Sequence, residues 1–244
     1  MAFLSELRHP ADRILRRLIR MASGERVAAG PFRGARFTWP CYQDAPCTLG
    51  TYEMELAPAI ERLVAGGFER VIDIGAAAGV YVVGLGHRLP EAEFIAYEAQ
   101  DDVRATLARN VKANGMEARV SLRGYCRPGD LAADLDGRRT LVVVDVEGFE
   151  VELLDLRAAP GLASATILVE THDFCAPGCT PLLRGRFEGT HEVTAVTSRR
   201  RTLGDFPYRW MTRLGSKLRA AAMRQMCEYR PGTQEWLVME PRDR

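Results

Sequence analysis

Ionisable side chains follow an apolar run in the segment ILVETHDF, residues 167–174. A charged group costs several kcal/mol to bury without a partner, so we expect this run to be a core strand that ends at a functional crevice. His172 has an ordinary pKa of about 6.5 and can accept a proton from a hydroxyl near neutral pH. We predict His172 as a general base that Glu170 orients, with a role in capping a loop as the alternative.

Two further residues are candidates for the same chemistry. Asp145 follows the apolar run TLVVV at 140–144, and we expect it to lie beside Glu170 and His172. Because carboxylates and imidazoles bind divalent cations, these three residues are also candidate ligands for Mg²⁺ or a similar ion that would hold a substrate oxygen. His191, in the segment GTHEV, is the competing candidate for the base and for contact with the substrate.

A glycine-bearing turn follows the first predicted strand, in VIDIGAAAGVYVVG at 71–84. Asp73 ends the strand, Gly75 permits a sharp turn, and Gly79 lets a helix begin close to a ligand. A dinucleotide-binding turn, GxGxxG, would need glycine where Ala77 and Val80 stand, so a bulky diphosphate is disfavoured. The pattern favours a cofactor that has a nucleoside but no phosphate, and an NAD-dependent oxidoreductase is the weakest alternative.

Glu98 ends the second predicted strand, nineteen residues after Gly79. A carboxylate at this point can accept hydrogen bonds from both hydroxyls of a ribose. The glycine turn and the acid are each common alone. Together, in strand–helix–strand order, they predict S-adenosylmethionine as the cofactor.

The order of the predicted elements defines the fold class. From residue 51 onward, strands with near-continuous apolar sequences alternate with helices, which indicates an α/β domain with a doubly wound sheet covered on both faces. Such a sheet binds ligands beyond the carboxyl ends of its strands. The acids at the strand ends are therefore expected to meet in one crevice.

Five segments of the chain resemble the FkbM-type family of class I S-adenosylmethionine-dependent methyltransferases. They are VIDIGAAAG at 71–79, AYEA at 96–99, LARNVKANG at 107–115, VVDVEGFEVELL at 143–154 and ILVETHDF at 167–174. The fourth is the most specific, because Asp-x-Glu-Gly-x-Glu after the fourth strand is not general among methyltransferases. The resemblance covers about residues 50–175.

This resemblance implies a Rossmann-like sheet of seven strands with an antiparallel last strand, and transfer of a methyl group to the hydroxyl of a small molecule. It places Tyr52 and Glu53 near the methionine end of the cofactor. The family has Asn where this chain has Ala77, and recognition of adenine would use backbone groups near residues 124–126. The implied cofactor-binding residues are Tyr52, Glu53, Asp73, Gly75, Ala76, Ala77, Gly79, Glu98, Ala99, Gly124, Tyr125, Cys126 and Asp145.

The first 50 residues are expected to form an extension of the methyltransferase domain at 51–244. Leu15, Leu18 and Ile19 lie on one stripe of an amphipathic helix, which favours docking on the domain or on the second subunit of a homodimer. Binding to a membrane surface is a weaker alternative, because Glu6 and Asp12 dilute the basic charge of this helix.

Composition and sequence signals indicate the cellular compartment of the protein. The net charge is +1, and the Arg- and Ala-rich sequence is typical of a bacterial protein. We predict a cytoplasmic location, because no apolar run is long enough to cross a bilayer, no signal peptide is visible, and the six cysteines form no CxxC pair.

Residues 198–230 form a basic insertion between the last two predicted strands, with nine Lys or Arg against two acids. Loops of this length tend to be functional, and we predict a lid whose Arg199, Arg200 and Arg201 face an anionic acceptor. The alternative is a solvated basic helix packed through Leu214, Leu218 and Met223. An RNA-directed enzyme or binder is a further alternative, but aromatic–basic repeats are lacking, so a nucleic acid partner is not expected.

Overall fold

The computed structural model describes residues 9–38, 44–228, 230 and 232–242. Its centre is a seven-stranded sheet in the order β3-β2-β1-β4-β5-β7-β6. The strands are β1 (Arg70–Ile74), β2 (Glu93–Tyr97), β3 (Val120–Arg123), β4 (Thr140–Val144), β5 (Thr166–Thr171), β6 (His191–Thr197) and β7 (Glu235–Pro241). Strands β1 to β5 are parallel, whereas β7 is antiparallel to both β5 and β6. The predicted Rossmann-like sheet with an antiparallel last strand is therefore confirmed.

Helices cover both faces of this sheet. Those in the described part of the chain are α1 (Pro10–Ser23), α2 (Asp44–Leu49), α3 (Ala57–Gly66), α4 (Val80–Arg88), α5 (Asp101–Ala113), α6 (Pro128–Asp134), α7 (Glu150–Leu153), α8 (Cys179–Phe187), α9 (Arg209–Thr212) and α10 (Ser216–Gln225). None of them is both long and apolar enough to span a bilayer.

Alternate side chains of the central strands enter separate hydrophobic clusters on the two faces of the sheet. In β1, Val71 belongs to one cluster and Ile72 to the other, and both are fully buried. All residues of β1 and β4 are buried, which explains why their sequences are apolar throughout instead of alternating. The order of strands reverses between β1 and β4, so the crevice opens where these two strands end.

Short elements lie beside the sheet. Helix α7 ends at a turn at Leu154. Helix α8 begins at Cys179 after Gly178, and the hydroxyl of Thr180 forms hydrogen bonds with Asp173 and Thr171. One antiparallel bridge joins residues 26 and 36.

The amphipathic helix predicted near the amino terminus is α1, and it packs against α10 of the insertion. Leu15 and Ile19 are buried in a third hydrophobic cluster with Ala221 and Ala222. Asp12 of α1 forms an ion pair with Arg224, 3.1 Å between Oδ2 and Nη2. The first described helix and the insertion therefore stabilise each other.

Candidate active site

The turn after β1 has the sharp geometry that its glycines predict. Gly75 and Gly79 have φ of 85° and 88°, and a Cβ at Gly75 would lie 1.7 Å from the carbonyl oxygen of Asp145. Ala77 also has a positive φ, 46°, which costs a non-glycine residue roughly 1–2 kcal/mol. The Ala77 amide donates a hydrogen bond to Glu98 Oε2 at 3.0 Å, and this bond stabilises the turn.

The carboxylate of Glu98 is fixed at the lip of this turn. Its Oε2 accepts the bond from Ala77, and its Oε1 accepts a bond of 2.8 Å from the amide of Gln100. A carboxylate can accept about four hydrogen bonds, so these two leave capacity for the hydroxyls of a ligand. Two other predicted cofactor-binding residues differ in exposure: Ala76 in the turn is buried, whereas Ala99 after Glu98 is exposed.

Asp73 has a buried polar atom that needs a partner. Its Oδ2 has no hydrogen-bond donor among the described residues. Burial, followed by repulsion from Asp145 and Glu98, raises the pKa of Asp73 to about 8. An unpaired buried acceptor is costly, so a ligand that donates a hydrogen bond here would stabilise the site.

An aromatic pair lies beyond the carboxyl edge of the sheet. The rings of Tyr125, after β3, and Phe149, before α7, have centroids 5.8 Å apart. Tyr125 is 53% exposed and offers a flat face on which a purine can stack. It follows Gly124 and precedes Cys126, whose pKa burial raises to about 12, so that the thiol is neutral.

Acidic side chains meet at the carboxyl ends of β4 and β5. Burial, with repulsion from neighbouring carboxylates including Glu53, raises the pKa of Asp145 to about 7 and that of Glu170 to about 8. Arg230 donates hydrogen bonds to Glu170 at 2.7 Å and to Glu53 at 2.5 Å. Its guanidinium carbon also lies 5.0 Å from the centre of the Trp236 ring. The corner of the crevice formed by Asp145, Glu170 and Glu53, here called the acidic corner, therefore favours a positively charged group.

Glu53 joins this acidic corner to the segment before α3. It adopts φ 45°, is buried, and accepts a hydrogen bond from the hydroxyl of Tyr81. Tyr52, beside it, lies 5.8 Å from the guanidinium carbon of Arg230. The two residues predicted near the methionine end are therefore close to the ends of β4 and β5.

His172 is held in a buried hydrogen bond with a residue that sequence reasoning did not select. Its Nδ1 lies 2.7 Å from Oε1 of Glu150, a fully buried residue of α7. Burial lowers the pKa of His172, but this bond and the nearby Asp145 outweigh it and raise the pKa to about 9. The imidazole is therefore mostly protonated at neutral pH and must lose a proton before it can act as a base.

The other ring nitrogen of His172 faces two carboxylates. Its Nε2 lies 3.6 Å from Asp145 Oδ1 and 3.6 Å from Glu147 Oε2. Asp145, Glu147 and His172 offer ligand atoms within 4.8 Å of one another. Glu170 is farther, 3.9 Å from Nε2, and it is paired with Arg230, so Glu147 replaces it in the most compact set of candidate metal ligands.

His191 lies at the opposite edge of the sheet. It begins β6, is fully buried, and its Nε2 lies 2.9 Å from the carbonyl oxygen of Ala165, just before β5. Strands β5 and β6 run in the same direction, so the start of β6 is far from the carboxyl edge. The expectation that His191 contacts the substrate or serves as a base is corrected: it stabilises the amino edge of the sheet.

The three arginines of the predicted lid are not equivalent. Arg201 is buried in ion pairs with Glu55, 2.6 Å away, and with Glu228. Arg199 pairs with Asp205 at 2.9 Å, whereas Arg200 is exposed. All three line a cavity of about 630 Å³, but two are already neutralised, so the prediction of three arginines available to an anion is corrected to one.

Sequence reasoning missed four residues of this site. Glu150 and Glu147 lie in the segment DVEGFE, whose acids could have been taken as partners of His172. Phe149 lies in the same segment, between a glycine and an acid. Arg230 gave no signal, because only the fold brings the end of the insertion beside β5.

The comparisons with known proteins agree with this architecture. No protein-family model matches the chain, and no curated protein is similar to it in sequence. The methyltransferase domain of METTL16, in an amino-terminally shortened form, has a TM-score of 0.54, 15% identity, and coverage of 96% of this chain and 96% of that chain. The N-terminal domain of human METTL16 has a TM-score of 0.52, 15% identity, and coverage of 96% and 81%. At this identity the likeness shows the fold, which is that of the Rossmann-like methyltransferases.

Proposed function

We propose that the chain is an S-adenosylmethionine-dependent methyltransferase. The observation that carries the proposal is the junction of Glu98 with the glycine turn, because a carboxylate fixed at 3.0 Å from the Ala77 amide presents its free lone pairs beside the start of α4. A ribose is the ligand group that suits two such acceptor positions. The absence of glycine at residues 77 and 80 argues against a dinucleotide.

The residues around this junction fit the remaining parts of the cofactor. Tyr125 would stack on the adenine, and Glu98 would bind the ribose hydroxyls. Asp73, which has an unpaired buried oxygen, and Glu53 would bind the ammonium group of the methionine moiety. S-adenosylmethionine would supply a methyl group on a sulfonium, whose positive charge suits the acidic corner formed by Asp145 and Glu170.

We further propose that the acceptor is the hydroxyl of a small molecule and that the chain is an FkbM-type enzyme of the cytoplasm. The segment DVEGFE supports the family, since its Glu150 orients His172. His172 Nε2 would remove the proton of the hydroxyl as methyl transfer proceeds in line. Asp145, 3.6 Å from Nε2, would stabilise the imidazolium that results.

A second candidate mechanism is metal-assisted transfer to an oxygen. The observation that favours it is the compact set of Asp145, Glu147 and His172, together with the bond from His172 Nδ1 to Glu150. A histidine ligand commonly uses one nitrogen for a metal and the other for a carboxylate, which fixes its orientation. Titration with Mn²⁺, followed by its paramagnetic signal, would show a site that Glu147→Gln weakens and Glu152→Gln leaves unchanged.

The cofactor proposal is tested by thermal denaturation with S-adenosylhomocysteine, S-adenosylmethionine and NAD in parallel. A ligand at one hundred times its Kd stabilises the folded state by about 2.7 kcal/mol, which raises Tm by several degrees. We expect a shift with the first two compounds that Glu98→Ala reduces to about a third or less. A shift with NAD alone would contradict the proposal.

A further inference from the structure

The outer side of α1 combines positive charge with exposed apolar side chains. Ile14 is 55% exposed and Met21 is 73% exposed, and the two lie on the same side of the helix because they are seven residues apart. Arg13, Arg17 and Arg20 are exposed beside them. The outer side of α1 therefore exposes apolar and basic side chains together.

The segment from α9 to the start of α10 has the same character. Trp210 is 52% exposed and Leu214 is 61% exposed, whereas Met211 between them is fully buried. The cations in this segment are also exposed; they are Arg209, Arg213 and Lys217. Residues 209–220 contain no acidic residue. We call the outer side of α1 and the exposed side chains of 209–217 the basic face.

The two parts of the basic face are adjacent. Helices α1 and α10 pack together, and Asp12 at the start of α1 contacts Arg224 at the end of α10, so the helices run antiparallel. The carboxyl end of α1 therefore lies beside the turn before α10. Ser23, at the end of α1, lies near enough to Tyr208, just before α9, to lower the pKa of its phenol, although burial raises that pKa on balance.

The structure removes one of the two acids that the sequence offered as an argument against membrane binding. Asp12 does not dilute the charge of the outer side, because its side chain is 3% exposed and neutralised by Arg224. Glu6 lies outside the described residues. Glu25 follows α1 and pairs with Arg20 at 3.5 Å, so one cation of the basic face is partly compensated.

A groove of about 530 Å³ runs beside α1. It is lined by Arg13, Arg16, Arg17 and Arg20, together with Thr48 of α2. Guanidinium groups bind phosphate with two parallel hydrogen bonds, so the groove suits an anionic headgroup. The apolar side chains of the basic face would then enter the region of the acyl chains.

We propose that the basic face docks on the surface of an anionic phospholipid bilayer. Cations near such a surface each contribute about 1 kcal/mol, and tryptophan and leucine add affinity by burial at the interface. A second copy of the chain is a poor occupant because two basic faces repel each other. RNA would use the cations and Trp210 but gains little from Ile14, Met21 or Leu214. The inference is independent of the proposed methyl transfer.

The test is sedimentation of the full chain with vesicles of phosphatidylglycerol and phosphatidylcholine in equal parts, against vesicles of phosphatidylcholine alone. We expect binding to the anionic vesicles that weakens with added salt. The double variant Trp210→Ser, Leu214→Ser should bind at least about tenfold less, since two large apolar side chains are lost. Arg13→Gln with Arg17→Gln should weaken binding about fivefold for each cation.

Matched controls are Leu182→Ser and Arg109→Gln, which remove an exposed leucine and an exposed arginine from the body of the domain. These variants should bind as the unaltered protein does, and circular dichroism confirms that each variant is folded. Equal binding to neutral vesicles, no binding to either kind, or equal losses in the controls would overturn the proposal. So would a basic face that binds RNA in preference to vesicles or that forms dimers at the concentrations used.

Discussion

The imidazole of His172 and the carboxylate of Glu150 form a fully buried hydrogen bond of 2.7 Å between Nδ1 and Oε1. Glu150 also accepts the amide of Gly148 at 3.0 Å, so its position is fixed by its own turn. The bond joins the segment after β4 to the end of β5. It leaves Nε2 of His172 as the atom that faces Asp145 and the crevice.

Replacing Glu150 with Gln should lower the pKa of His172 from its value of about 9, because the hydrogen bond with the charged carboxylate is the largest contribution that raises it. The pH at which the His172 resonance titrates, followed by NMR, measures this change. Removal of one partner of a buried pair also destabilises the fold, by about 3 kcal/mol. The exposed Glu152→Gln is the control, and an unchanged titration in Glu150→Gln would refute the role of the bond.

If His172 is the base, methyl transfer should accelerate as pH rises toward about 9, since the free imidazole is the active form. His172→Gln should lower kcat about 100-fold or more and remove this pH dependence. Initial rates across pH, at saturating acceptor, measure both effects. A rate that does not change between roughly pH 6 and pH 9 would contradict a histidine base.

The free energy of unfolding should fall as pH rises, because ionisable groups in the site have raised pKa values. The pKa of His172 is raised from 6.5 to about 9, so its stabilisation is complete below pH 6.5 and is lost as pH rises through about 9. The pKa values of Asp145 and Glu170 are raised from 3.8 and 4.5 to about 7 and about 8, so their loss begins lower and has the same sign. Urea unfolding across pH should show a slope that Glu170→Gln reduces; a slope of opposite sign would contradict these shifts.

Arg230→Met should destabilise the protein, because Arg230 pairs with both Glu53 and Glu170 in a buried corner of the site. Loss of one partner of a buried pair leaves the others uncompensated, so we expect a loss of roughly 2–4 kcal/mol at neutral pH, measured by urea unfolding. The exposed Arg200→Met is the control. Equal losses in the two variants would argue against the role of Arg230.

Gly75→Ala should abolish cofactor binding and destabilise the fold, because its Cβ would lie 1.7 Å from the Asp145 carbonyl oxygen at a φ of 85°. Gly185→Ala, in α8, is a matched control: no atom lies within 4 Å of its added Cβ, and Ala favours a helix by up to about 1 kcal/mol. Thermal unfolding should separate the two variants. A folded Gly75→Ala protein that still binds S-adenosylhomocysteine would show that the turn is not as tight as described.

Sequence patterns predicted the sheet well because its central strands β1 and β4 are buried throughout and are therefore almost continuously apolar. The turn glycines and the carboxylates at the strand ends were identified for the same reason, since chain order alone places them at one edge. Arg230 could not be identified in this way, because its partners Glu53 and Glu170 are distant in sequence and meet it only through the packing of the insertion. The role of His191 was predicted wrongly, because a histidine next to a predicted strand does not show at which edge of the sheet that end of the strand lies. For Asp145, Glu170 and His172, the parallel order of the strands correctly predicted a shared position at the carboxyl edge of the sheet.

The identity of the cofactor is the claim on which the mechanism depends, and calorimetric titration with S-adenosylhomocysteine tests it most directly. The account predicts binding to the unaltered protein and to the exposed control Glu91→Ala. In Glu98→Ala the Kd should rise at least about 30-fold, because hydrogen bonds to a charged group contribute about 1.5–3 kcal/mol each. Failure of the unaltered protein to bind, or equal affinity in Glu98→Ala, would contradict it.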